Sequence, residues 1–154
     1  MLTHQHFHAA WDAALEDKQR YLLVNGGRDA LFDQHFTTST QPAAFNYIGL
    51  TATSTAPSAS DTSLTGQITT ASGGLVAAQA TYAHTSGTST ATLTKTFTAN
   101  GSDSLPVTIA QVGVRNASGT GGTLGTRTLL SSTATLSSSG DALTVTMTFT
   151  LTPS

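Results

Sequence analysis

The feature that most constrains this chain is its last stretch, Leu143-Thr-Val-Thr-Met-Thr-Phe-Thr-Leu-Thr152, in which threonine occupies every second position. Between the threonines stand Leu143, Val145, Met147, Phe149 and Leu151, all apolar. Successive side chains of a strand point to opposite faces, so this segment has one apolar face and one ladder of hydroxyls. The stretch Thr90-Ala-Thr-Leu-Thr-Lys-Thr-Phe-Thr98 repeats the pattern, with Leu93 and Phe97 on one side. β-Branched, uncharged threonine suits the solvent face of a half-buried antiparallel sheet.

At 154 residues the chain suits one domain able to bury a core. Only 9% of residues are charged, against roughly 25% in a typical soluble domain. Thr and Ser fill the shortfall, at about a third of the chain. Such composition suits either a disordered stalk or an ordered sheet, and the strict alternation selects the sheet. A net charge of −2 offers no basic patch for nucleic acid or anionic lipid. Cysteine is absent, which excludes disulfides and thiolate chemistry. No apolar stretch approaches the roughly 20 residues of a membrane span, and the first residues lack the pattern of a secretory signal. The sequons at Asn100 and Asn116 are therefore read as chance matches.

Charge divides the chain: Asp12, Glu16, Asp17, Lys18, Arg20, Arg28, Asp29 and Asp33 all precede Gln34. Phe7, Trp11, Ala14, Leu15 and Leu22 recur at helical spacings, with Thr3 as N-cap and Asn25-Gly26-Gly27 as the expected C-terminal stop. A second short helical turn is expected from Arg28 to Phe36. From Phe45 onward the chain reads as strands over 45–53, 63–70, 75–84, 90–99, 107–116, 123–132 and 142–152, with a further piece at 133–136. The separators are Gly-, Ser-, Asn- and Asp-rich turns. The expected fold is all-β, an antiparallel β-sandwich of about seven strands, immunoglobulin-like or jelly-roll-like. A helical arm over residues 1–36 precedes the sandwich of residues 37–154.

Chemistry-bearing constellations are sparse. His4, His6 and His8 suggest a metal site, but no carboxylate or cysteine supports them at a useful spacing. His84 with Asp61, Asp103 or Asp141 could be assembled into a triad with many serines, yet no Gly-x-Ser-x-Gly elbow exists. The cluster Gly119-Thr-Gly-Gly-Thr-Leu124 departs from a dinucleotide fingerprint and is read as a hairpin tip. The aspartates are read as turn residues, and Lys95, Arg115 and Arg127 as solvated surface charges. No catalytic residue, cofactor or metal is expected, and the chain is read as a non-enzyme. Phe7, Trp11 and Tyr21 have two readings: a partner-binding patch, or the face that packs the arm on its own sandwich.

Several segments carry a resemblance: Tyr47-Ile-Gly-Leu50, Thr55-Ala-Pro-Ser-Ala-Ser-Asp-Thr-Ser-Leu64, Ala78-Ala-Gln-Ala-Thr-Tyr-Ala-His84 and Leu93-Thr-Lys-Thr-Phe97. Ile109-Ala-Gln-Val-Gly-Val114, Gly122-Thr-Leu124 and Leu143-Thr-Val-Thr-Met-Thr-Phe149 follow in the same order. Over roughly two thirds of its length the chain resembles small virion proteins of tailed bacteriophages, of the head-decoration and tail types. The resemblance implies a virion structural role, on the capsid surface or in the tail, after synthesis in the host cytoplasm. It implies binding to the major capsid protein, to copies of itself in a homo-oligomer, or to both. Phe7, Trp11, Leu15, Leu22, Phe32 and Phe36 are the expected partner-binding anchors.

Overall fold

A computed structural model of the chain describes residues 22–36 and 43–151. Phe7, Trp11, Leu15 and the His4, His6, His8 run lie outside the described residues, as does the helix expected to begin at Thr3. The elements are β1 (Leu22–Leu23), α1 (Asn25–Phe36), β2 (Tyr47–Thr51), β3 (Ala78–Gln79), β4 (Thr81–His84), β5 (Thr90–Thr98), β6 (Val107–Arg115), β7 (Leu124–Leu136) and β8 (Ala142–Thr150). The strands form a five-stranded sheet, β1-β7-β6-β2-β3, and a three-stranded sheet, β4-β5-β8. Every pairing is antiparallel. The fold is an all-β antiparallel sandwich, with eight strands among the described residues.

The two threonine combs meet. β5 and β8 pair without a register break from Thr90↔Thr150 to Thr98↔Ala142, so threonine faces threonine along the outer face. Thr96 and Thr144 share a hydroxyl hydrogen bond of 2.8 Å, and Thr94 and Thr146 one of 3.3 Å. The other face supplies Leu93, Phe97, Val145 and Met147 to a core completed by Ile48, Leu50, Ile109, Val112, Val114 and Leu136 of the opposite sheet. Ile109 and Val112 both reach this core because a register irregularity between Ile109 and Gln111 shifts the alternation by one residue. Beyond it, Gln111, Gly113 and Arg115 turn to the outer face of the five-stranded sheet.

The secondary structure departs from the sequence reading at four places. The expected strand over 63–70 makes only a single bridge, Thr51↔Gln67, because Gly66 turns the chain at a φ of 66°. The expected strand over 75–84 is split: Ala80 donates its N–H to the Asn46 carbonyl, and the chain passes from β3 in one sheet to β4 in the other. The pieces expected over 123–132 and 133–136 are one strand, β7. Asn25-Gly26-Gly27 opens a helix instead of closing one. The Val24 carbonyl accepts the N–H groups of Gly27 and Arg28, while Val24 itself is buried with Leu64 and Leu124. The glycines are there for close approach. A side chain at Gly27 would run into the Gly125 backbone of β7, and one at Gly26 would lie 2.6 Å from the Thr123 methyl.

Candidate functional site

Three surfaces combine chemistry with defined geometry. The first is the outer face of the five-stranded sheet, over which the segment between β2 and β3 folds. Gly49 and Gly113 are cross-strand partners, and the trough above them holds Leu64. A Cβ at Gly113 would meet both Leu64 methyls at 3.3–3.4 Å. Arg127 donates through Nη1 to Asp61 Oδ2 at 2.7 Å and through Nη2 to the Thr55 carbonyl at 2.9 Å. Gln111 Nε2 donates to the same carbonyl at 3.0 Å. Arg115 donates to Gln67 Oε1 at 2.8 Å and to the carbonyls of Thr120, Gly121 and Gly122. Gln67 Nε2 in turn donates to the Gly119 carbonyl at 2.6 Å.

This network corrects the reading of the two arginines as solvated surface charges. Arg115 and Arg127 are 2% and 1% exposed, not solvated. Lys95 is half-buried, on the same side of β5 as Leu93 and Phe97, opposite Val145. Sequence reasoning missed the arginines because each stands alone on its strand. Their acceptors are the Asp61 and Gln67 side chains and backbone carbonyls, all on segments distant in sequence or on a glycine-rich loop. Burial holds the Arg115 guanidinium below the ordinary arginine pKa. Among the described residues no carboxylate pairs with it; loop carbonyl dipoles and Gln67 carry the compensation. The arrangement is a strut: it locks residues 55–67 and the β6–β7 hairpin loop to the sheet.

The second surface is α1. Leu31 and Phe32 are 47% and 58% exposed, and Phe36 is 79% exposed with its ring centroid 6.1 Å from that of Phe32. Leu22, another expected anchor, is half-buried in β1, where it pairs with Arg127. The helix is held at its start by β1, Val24 and the glycine contact with β7, so its outward apolar residues sit on a fixed platform.

The third is the threonine face, which presents hydroxyls and no charge. The side chains that a catalytic triad would need, Asp61, Asp103, Asp141 and His84, are each engaged separately. Asp103 accepts the N–H groups of Gly74 at 2.9 Å, Leu75 at 3.4 Å and Asn100 at 2.8 Å. Asp141 accepts those of Ser137 and Ser138, and these two bonds pull its pKa below the usual carboxylate value. Asp61 is engaged by Arg127 and also caps the Ser58 N–H at 2.7 Å. His84 Nδ1 lies 2.8 Å from the Thr90 carbonyl. A concavity of about 280 Å³ is lined by Gln67, Ile68, Leu75, Asp103 and Val107, its carboxylate already committed to backbone donors. Among the described residues no three His, Cys, Asp or Glu side chains are placed to hold a metal, and no helix is long and apolar enough to cross a membrane.

Comparison of the chain with known protein families, with curated proteins and with solved structures finds no match.

Proposed function

We propose that this chain is a structural protein of a virus particle, a capsid decoration protein of the tailed-bacteriophage type. In this reading it binds the outside of the major capsid protein lattice and stabilises it. The sandwich is the exposed body, and the N-terminal segment, with Phe7, Trp11, Leu15, Leu22, Phe32 and Phe36, grips the lattice. The observation that carries the reading is α1: an anchored helix that turns Leu31 and Phe32 to solvent, on a body whose other surfaces are nearly uncharged. Exposed large apolar groups on an otherwise polar surface mark protein contacts. A subunit that binds only the assembled lattice stabilises that lattice by mass action. An uncharged hydroxyl surface also depends little on screened ion pairs, which suits a particle exposed to changing salt. The test is heat and chelator challenge of particles with and without the protein, together with particle binding by the Phe32→Ser chain. Complete particles should survive better and Phe32→Ser should bind weakly; equal survival would overturn the decoration role.

Tyr82, 62% exposed on β4, favours a second reading as a tail or fibre component that binds a receptor. An exposed tyrosine is a common sugar or protein contact. Binding of the full chain to a glycan array, lost in Tyr82→Ala, would select that reading.

A further inference from the structure

We infer that β8 is a self-association edge, through which two copies of this chain join their three-stranded sheets into one continuous sheet about a two-fold axis. The inference does not depend on the particle reading. Leu151 donates its N–H to the Ser89 carbonyl at 2.8 Å, and Ala99 donates to the Asp141 carbonyl at 2.8 Å. Odd-numbered residues therefore hydrogen-bond toward β5. In an antiparallel ladder the even-numbered residues then turn their N–H and C=O groups the opposite way. Those residues are Ala142, Thr144, Thr146, Thr148 and Thr150, and among the described residues β8 pairs with β5 alone.

Sheet edges are ordinarily blunted by shortness, by lysine or proline, or by a bulge. β1 and β3 are two residues long and β4 is four, which blunts them by length. β8 has nine residues, no charge, no proline and an unbroken register with β5. Among the described residues it is a long, regular edge with none of those protections.

The occupant follows from the side chains. An antiparallel pair of β8 strands centred on Thr146 keeps all nine residues of each strand paired. It sets Thr144 against Thr148 of the second copy, and Leu143 against Phe149. Every threonine then meets a threonine, apart from the Ala142 and Thr150 ends, and every apolar residue meets an apolar one. The chain already uses this chemistry once, in the Thr96–Thr144 and Thr94–Thr146 hydroxyl pairs between β5 and β8. Cross-strand threonine pairs and apolar pairs both favour association. An edge without charge offers no complement to a charged partner strand, whereas a second β8 matches it position by position. Such strand addition is an established mode of recognition.

The test is sedimentation equilibrium of the full chain with two double variants on the exposed face. The unaltered chain should show twice the monomer mass. Thr144→Lys/Thr148→Lys sets like charges opposite each other across the axis and should sediment as a monomer. Thr144→Lys/Thr148→Glu sets opposite charges there and should keep the dimer. Amide exchange of the unaltered chain gives an independent reading: the Thr144, Thr146 and Thr148 amides should be protected at high concentration and lose protection on dilution, while Val145 and Met147 stay protected. A chain that is monomeric at all concentrations, a dimer that both variants keep or both lose, or even-numbered amides that exchange freely in the dimer would overturn the inference.

Discussion

At the scale of residues, Arg127 and Arg115 show two ways to bury a guanidinium. Arg127 has a carboxylate, Asp61 at 2.7 Å, and the side chains are 1% and 24% exposed. Removing one partner of a buried pair leaves an uncompensated charge, which costs more than the pair itself contributes. Asp61→Ala should therefore lower stability by about 3 kcal/mol in urea unfolding. The double variant Asp61→Ala/Arg127→Met should recover much of that loss, since it removes the stranded charge. A double variant no more stable than Asp61→Ala would show that the strut works through packing alone. Asp141 makes a different kind of statement. Its pKa is depressed by the Ser138 and Ser137 N–H groups, so its contribution to stability is present above the unfolded carboxylate pKa. That contribution is lost as pH falls through the lower folded value. Thermal melts of Asp141→Asn and the unaltered chain should differ at neutral pH and converge in acid.

At the scale of elements, the docking of α1 depends on residues with no side chain. Gly27 lies against the Gly125 backbone, and Gly125 in turn lies under the Phe45 ring, whose nearest carbon would be 2.5 Å from a Cβ there. Backbone cannot move aside as a flexible side chain can. Gly27→Ala should cost about 1–3 kcal/mol and speed proteolysis within residues 22–36. Gly101→Ala, where a Cβ meets nothing within 4 Å, should be nearly neutral. Equal effects from the two would mean that α1 is not held by this contact. The same glycines explain a misreading: Asn-Gly-Gly after an apolar periodic run is a good helix stop in local terms, but here it answers a demand from β7. The combs of β5 and β8, by contrast, are read correctly from sequence, because period-two alternation is a local property that burial of one face then enforces.

At the scale of the whole molecule, stability rests on an inter-sheet core, a strut of buried polar groups and surfaces with few charges. Surface ion pairs contribute little and are screened by salt, whereas a buried pair is screened much less. The unfolding free energy in urea should therefore change by less than about 1 kcal/mol between low and molar NaCl. A larger change would place substantial stability in surface charge. Alternation and the spacing of turn residues together were enough to determine an all-β antiparallel sandwich with threonine outside, and the turn residues located most strand ends. Several things were decided only in three dimensions. Ala80 hands the chain from one sheet to the other, the segment around Gly66 is a cover and not a strand, and Arg115 and Arg127 are interior. The physical reason is range: periodicity and turn chemistry act over a few residues. What lies above an outward-facing residue depends on segments such as 55–67, which reach Arg127 and Arg115 only once the sheet has formed.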